Sequence, residues 1–175
     1  MKAVVAISGN VSRPSKTRTL VEAIAKAISE RLQLQSSCYD ILDVQPDLGA
    51  SLYRSDVPGP LSDVLSAIET SAVLVVGSPT YKASFTGLLK HLFDLVDMKA
   101  LNGRPVIVCA TGKAAEHGPK VEQHFRMLFE FFNARVGPKF IFALDDDFSD
   151  DGRPSEALLK RIQEQVREAE TIGLI

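Results

Sequence analysis

Two kinds of apolar pattern take turns along this chain. Short unbroken runs, Ala72-Val73-Leu74-Val75-Val76 and Val106-Ile107-Val108-Cys109-Ala110, read as strands covered on both faces. Between such runs the apolar positions spread out to helical spacing, as at Leu20, Ile24, Ile28 and Leu32 or at Leu158, Ile162 and Val166. The pattern predicts strands over residues 3–8, 37–42, 72–77, 104–110 and 138–143. It predicts helices over 17–32, 60–69, 84–96, 119–133 and 155–171. Pro154 sits where a helix start tolerates proline, because the first N–H groups of a helix have no intrahelical partner. Phe125, Leu128, Phe129 and Phe132 form an apolar stripe on the fourth helix, and Phe131 adds apolar surface suited to a subunit contact.

Strict β/α alternation argues for a parallel sheet with helices on both faces. Five strands in this rhythm give a doubly wound, flavodoxin-like sheet of order 2-1-3-4-5. No repeat, low-complexity tract or linker divides the chain, so residues 1–175 read as one domain. In such sheets a ligand sits beyond the carboxyl ends of the strands, at the switch point between strands 1 and 3. The loops after strands 1, 3 and 4 should therefore converge.

Composition narrows the classes of partner. A net charge of −2 without a basic cluster argues against nucleic acid. No apolar run approaches the roughly 20 residues of a membrane span. The opening Met-Lys-Ala-Val-Val reads as strand rather than leader, so the expected location is the cytoplasm. Cys38 and Cys109 fall in separate apolar strands and read as reduced core residues.

The loop after strand 1 holds the most distinctive chemistry. Strand 1 runs into Gly9-Asn10-Val11-Ser12-Arg13-Pro14-Ser15-Lys16-Thr17-Arg18-Thr19 and then into a helix. A helix start offers free N–H groups and partial positive charge. Hydroxyls from Ser12, Ser15, Thr17 and Thr19 and cations from Arg13, Lys16 and Arg18 join them, a set suited to a phosphate monoester. The loop lacks the Gly-Lys-Ser/Thr of a nucleotide P-loop and the three glycines of a dinucleotide fingerprint. After strand 3 comes Gly77-Ser78-Pro79-Thr80-Tyr81-Lys82-Ala83-Ser84-Phe85-Thr86-Gly87, and after strand 4 Ala110-Thr111-Gly112-Lys113. A phosphate cradle beside an aromatic loop is what flavin mononucleotide (FMN) requires. Tyr81 offers a face, and N–H groups of residues 80–82 and 111–113 offer donors for the polar ring edge.

The same three stretches, with Leu88-Leu89-Lys90, resemble the NAD(P)H-dependent FMN reductase family. Within it the likeness is strongest to small flavin reductases of bacterial sulfonate and sulfone utilisation. The resemblance spans nearly the whole chain, and the block from Pro79 to Lys90 is its most specific part. It implies an enzyme that moves hydride from NADH or NADPH to FMN and supplies reduced FMN to a partner monooxygenase. It assigns phosphate contacts to Asn10, Ser12, Arg13, Ser15, Lys16 and Thr17. Ring and ribityl contacts fall to Pro79, Thr80, Tyr81, Lys82, Thr111 and Gly112. Asn10 stands where the family more often has serine, and Ser12 where arginine is common. The cofactor carries the chemistry, so no acid or base residue is needed; Tyr81 and His117 are the supporting side chains. Members that release flavin carry an extra, bulging residue on the fourth helix, a position that falls at Gln123 or His124. The resemblance also implies a homodimer or homotetramer in which a neighbouring subunit walls the site.

Other constellations carry less. His91, His117 and His124 share no ligand spacing, and no metal set is expected. The run Asp145-Asp146-Asp147-Phe148-Ser149-Asp150-Asp151 lacks the EF-hand glycine and glutamate and reads as a solvated or interface loop. Two rivals stay open from sequence alone. One is a reductase of quinones, azo dyes or metal oxyanions that keeps FMN bound. The other is a non-enzymatic electron carrier of flavodoxin type.

Overall fold

The structure is a computed structural model that describes residues 3–175; Met1 and Lys2, the latter read from sequence as the head of the first strand, lie outside them. Its strands are β1 (Ala3–Ser8), β2 (Gln35–Asp40), β3 (Val73–Pro79), β4 (Pro105–Thr111), β5 (Arg135–Val136) and β6 (Ile141–Ala143). All pair in parallel in the order β2-β1-β3-β4-β5, with β6 also on β4. The helices are α1 (Lys16–Leu32), α2 (Ile41–Ala50), α3 (Gly59–Thr70), α4 (Gly87–Asp94), α5 (Gly118–Phe131) and α6 (Glu156–Thr171).

The predicted order 2-1-3-4-5 is the one observed, and a sixth strand is added to it. Of the expected strand over 138–143 only β6 forms, at its end, and a further short strand, β5, lies just before that range. β5 pairs with the start of β4, at Pro105 and Val106, and β6 with its end, at Cys109 to Thr111. Gly137 still donates its N–H to the Val106 carbonyl at 2.8 Å. Pro138 then has no N–H to give, and the ladder breaks there.

The expected strand over 37–42 ends at Asp40, because that residue caps an unforeseen helix. Its side chain accepts from the Leu42 N–H, and Asp43 reaches back to the Asp40 N–H in a capping box. Ile41, Val44 and Leu48 make the buried stripe of α2, which outweighs the hydrogen bond lost at Pro46.

Alternate strand residues feed two cores. Val5, Ile7, Leu74, Val76, Val106 and Val108 face α2, α3, α4 and α5. Val4, Ala6, Val73, Val75, Ile107 and Cys109 face α1 and α6. The centre is tight around Gly77, where an added Cβ would stand 2.4 Å from Val21 and 2.8 Å from the Cys109 sulfur. Cys109 is fully buried there, whereas Cys38 lies half-buried on edge strand β2.

Candidate active site

Three loops leave the carboxyl edge of β1, β3 and β4 and are stitched together by threonines. Thr86 donates its hydroxyl to the Gly9 carbonyl at 2.8 Å, and Thr80 donates to the Thr111 carbonyl at 2.9 Å. The hydroxyls of Thr17, in the first turn of α1, and Thr111 lie 2.6 Å apart. Above these contacts opens a cleft of about 820 Å³ lined by Asn10, Ser12, Ser15, Lys16, Thr17, Pro79, Tyr81 and Thr111. A recess of about 340 Å³ runs on past Thr80, Gly112 and His117. The close approach at Gly112 needs glycine: a Cβ would meet the Phe142 ring at 2.5 Å.

Two residues expected at the ligand stand elsewhere. Arg13 is turned to the end of β2, where Nε and Nη2 donate to Asp40 at 2.7 and 2.6 Å and Nη2 also to Asp43 at 2.5 Å. Arg18 joins it, donating to Asp40 at 2.9 Å and to Glu22 at 2.8 Å. A carboxylate with no exposed side-chain surface outcompetes solvent for both guanidiniums. Burial alone would push the Asp40 carboxyl up. Hydrogen bonds from Arg13, Arg18 and Asn10 outweigh that and hold it down to about 2. Lys82 is the other exception. It is exposed in a tight turn closed by reciprocal Tyr81–Ser84 backbone bonds of 2.8 and 3.0 Å, and it does not line the cleft. Lys82 and Ala83 adopt φ of 53° and 62°, left-handed conformations held by those two bonds.

The donor groups are also more committed than the sequence implies. The Thr80, Tyr81 and Gly112 N–H groups already donate to Thr111, Ser84 and Ala143 carbonyls at 2.8, 2.8 and 3.0 Å. Of the hydroxyls, Ser15 caps α1 by accepting from the Arg18 N–H at 3.2 Å, and Thr19 donates back to the Ser15 carbonyl. Ser12 is exposed at the rim. Asn10 is buried and donates to Asp40 at 3.1 Å, which leaves its Oδ1 buried without a hydrogen-bond partner among the described residues. Tyr81 is 52% exposed over the cleft.

One wall of the cleft is acidic, against expectation from the sequence. Asp145, Asp150 and Asp151, expected in a solvated or interface loop, line the cleft together with Lys113. Lys16 donates to Asp145 at 2.8 Å, and its ammonium lies 5.7 Å from the centre of the Phe148 ring. A signal was present: this run follows Ala143, so it leaves the same sheet edge as the other loops. Among the described residues no cluster of three His, Cys, Asp or Glu is placed to hold a metal, and no helix is long and apolar enough to cross a membrane.

Beside the cleft, α4 and α5 enclose an apolar groove of about 610 Å³ lined by Phe85, Met98, Met127 and Phe131 among others. Phe125 and Phe129 are fully buried, while Phe131 is 63% exposed. His124 Nδ1 stands 2.8 Å from the Ser84 hydroxyl, at the base of the Tyr81 turn. The expected bulge at Gln123 or His124 is not formed, and α5 is a regular helix through both. Val121, Phe125 and Phe129 keep regular four-residue spacing on one buried face through this stretch.

Comparison with known proteins gives a consistent picture. The family model described as NADPH-dependent FMN reductase matches residues 2–149. The chain is 40% identical over 160 residues to NADH-dependent FMN reductase SfnF of Pseudomonas fluorescens strain Pf0-1, covering 91% of this chain and 86% of that protein. It matches FMN reductase (NADPH) of Pseudomonas aeruginosa PAO1 with the same identity and coverage. Among solved structures, the apo form of the NADH:FMN oxidoreductase EMOB superposes with a TM-score of 0.83. Identity is 27%, and the match covers 95% of this chain and 87% of that one.

Proposed function

The chain belongs to the NADPH-dependent FMN reductase family, oxidoreductases that use FMN with a nicotinamide donor, and from that premise we propose how its cleft works and what it serves. FMN enters with its phosphate toward the loop at residues 10–17 and its ring toward Pro79 and Tyr81. The reduced flavin goes to a partner monooxygenase that releases sulfur from sulfonates or sulfones. The observation that carries this reading is the convergence of three loops on one cleft at the switch point of the sheet.

The residues present suit such a ligand. The α1 N-terminus, the Ser12 and Ser15 hydroxyls and Lys16 are phosphate-binding chemistry. Asn10 Oδ1 is a buried acceptor in want of a donor, and a ribityl hydroxyl is one. Bound FMN would supply the acceptor for the hydride, with its two electrons, that the nicotinamide donates. The protein's own work is positional. Thr17, Thr80, Thr86 and Thr111 fix the cleft floor, and Tyr81 covers a ring face and excludes water. The names SfnF and SfnE among the relatives support the link to sulfur assimilation. The exposed groove between α4 and α5 supports assembly with a second copy of the chain, which would complete the wall beside the Tyr81 turn.

Steady-state oxidation of NADH and of NADPH with varied free FMN tests the reading, paired with flavin content after dialysis. Saturation in added FMN, with little flavin retained, is expected. Rates independent of added FMN, with stoichiometric retained flavin, would instead establish a bound prosthetic group. Transfer to a partner is checked by product formation with an FMNH2-dependent sulfonate or sulfone monooxygenase.

A further inference from the structure

The charge of the cleft is at odds with the charge of its ligand. A phosphate monoester carries nearly two negative charges at neutral pH. The cations this sequence offers nearby are mostly engaged. Arg13 and Arg18 are held by Asp40, Asp43 and Glu22 and do not line the cleft. The ionised side chains that do line it are Lys16 and Lys113 against Asp145, Asp150 and Asp151. Lys16, at the first turn of α1 where a phosphate is best placed, is itself paired with Asp145 at 2.8 Å.

The backbone that carries Asp145 is held in place. The chain after β6 is pinned by Asp147, whose carboxylate accepts from the Leu144 N–H at 2.8 Å and from Arg161 at 2.9 Å. The Asp147 carbonyl accepts from the Ser155 N–H at 2.8 Å, and Phe148 bridges to Pro154. The Asp145 carboxylate is thereby presented to Lys16 from a fixed backbone.

We propose that Asp145 is a specificity-determining residue which competes with the flavin phosphate for Lys16 and keeps phosphorylated flavins exchangeable. This rests on the reading of the cleft as the flavin site. When a phosphate arrives, Lys16 must leave one anion for the other, so the net gain from the lysine is the difference of two pairings. The neighbouring carboxylate also repels the incoming charge. A flavin without phosphate pays neither cost, so the device acts on FMN and spares riboflavin. An enzyme that must release its reduced flavin gains from weak phosphate binding.

The test is a titration of FMN and of riboflavin, each followed by flavin fluorescence quenching, on wild type and on Asp145→Asn. The FMN dissociation constant should fall about threefold to tenfold at low salt, the size expected when an exposed pair and a charge-assisted contact are exchanged. Riboflavin should change less than about twofold, and added salt should shrink the FMN gain. Asp145→Ser removes the same charge and should act in the same direction. Unchanged or weakened FMN binding in both variants overturns the proposal, as does equal tightening of both flavins. Wild type that quenches neither flavin overturns the flavin-cleft reading itself, and that result is visible before either variant is compared.

Discussion

Replacing Asp40 by Asn removes one charge from the point where the loop after β1, α1 and α2 meet. The carboxylate accepts from Arg13 at 2.6 and 2.7 Å, Arg18 at 2.9 Å, Asn10 at 3.1 Å and the Leu42 N–H at 3.0 Å, with no side-chain surface exposed. Those partners hold its pKa at about 2, whereas an unfolded aspartate titrates near about 3.9. A depressed carboxylate pKa stabilises the fold fully above the unfolded value, and the contribution is lost as pH falls through the folded value. Nearly two units correspond to about 3 kcal/mol at neutral pH, falling to about 1 kcal/mol at pH 2.5. The asparagine oxygen can still cap α2, so the loss is chiefly that of the charge. Urea unfolding from pH 7 to pH 2.5 should show the variant about 2–3 kcal/mol less stable at neutral pH, with the gap closing toward about 1 kcal/mol in acid. Thermal unfolding at neutral pH should fall by about 4–12 °C. A gap that stays constant across this range, or none at pH 7, would refute the reasoning.

Three further outcomes follow from the geometry. Arg13→Ala should lower the melting temperature and weaken FMN and riboflavin equally, because this arginine serves Asp40 and Asp43 rather than the cleft; a loss confined to FMN, measured by fluorescence titration, would return it to the phosphate. Tyr81→Ala should slow NAD(P)H oxidation while leaving the melting temperature within about 2 °C, since an exposed side chain contributes little to stability. Phe131→Asp should shift sedimentation toward monomer and lower flavin-dependent NAD(P)H oxidation together; a fully active monomer at nanomolar concentration would separate assembly from the site.

Strand order and the converging loops were legible because they depend on local pattern and on alternation. The near-continuous runs of β3 and β4 admit one reading, and parallel topology then dictates the edge where loops meet. Helix α2 was hidden because Pro46 and Gly49 mask its stripe and because Ile41-Leu42 extends the strand pattern. The placing of β5 and β6 depended on which stretch of β4 each would meet. In the site, residue types were readable but their commitments were not. Arg13 is 27 and 30 positions from the carboxylates that claim it, and Lys16 is 129 from Asp145. Counting cations in a loop overstates its field when tertiary partners already neutralise them.

The two thiols form a pair of built-in depth gauges. Cys109 fills the space left by Gly77 at the centre of the sheet, and burial drives its thiol far from ionisation. Cys38 sits on the edge strand, its thiol pushed up to about 12 by burial, with Glu22 adding to the effect. Because the thiolate is the reactive form, both thiols are slow toward thiol reagents, and the fully buried Cys109 needs the backbone around it to open first. Labelling at Cys38 is therefore sped by fraying of β2 away from β1, and labelling at Cys109 times opening of the whole sheet. Because the loop after β1 is tied to the end of β2 through Asp40, a flavin that slows the first clock without touching the second would show ligand tightening the edge of the molecule alone.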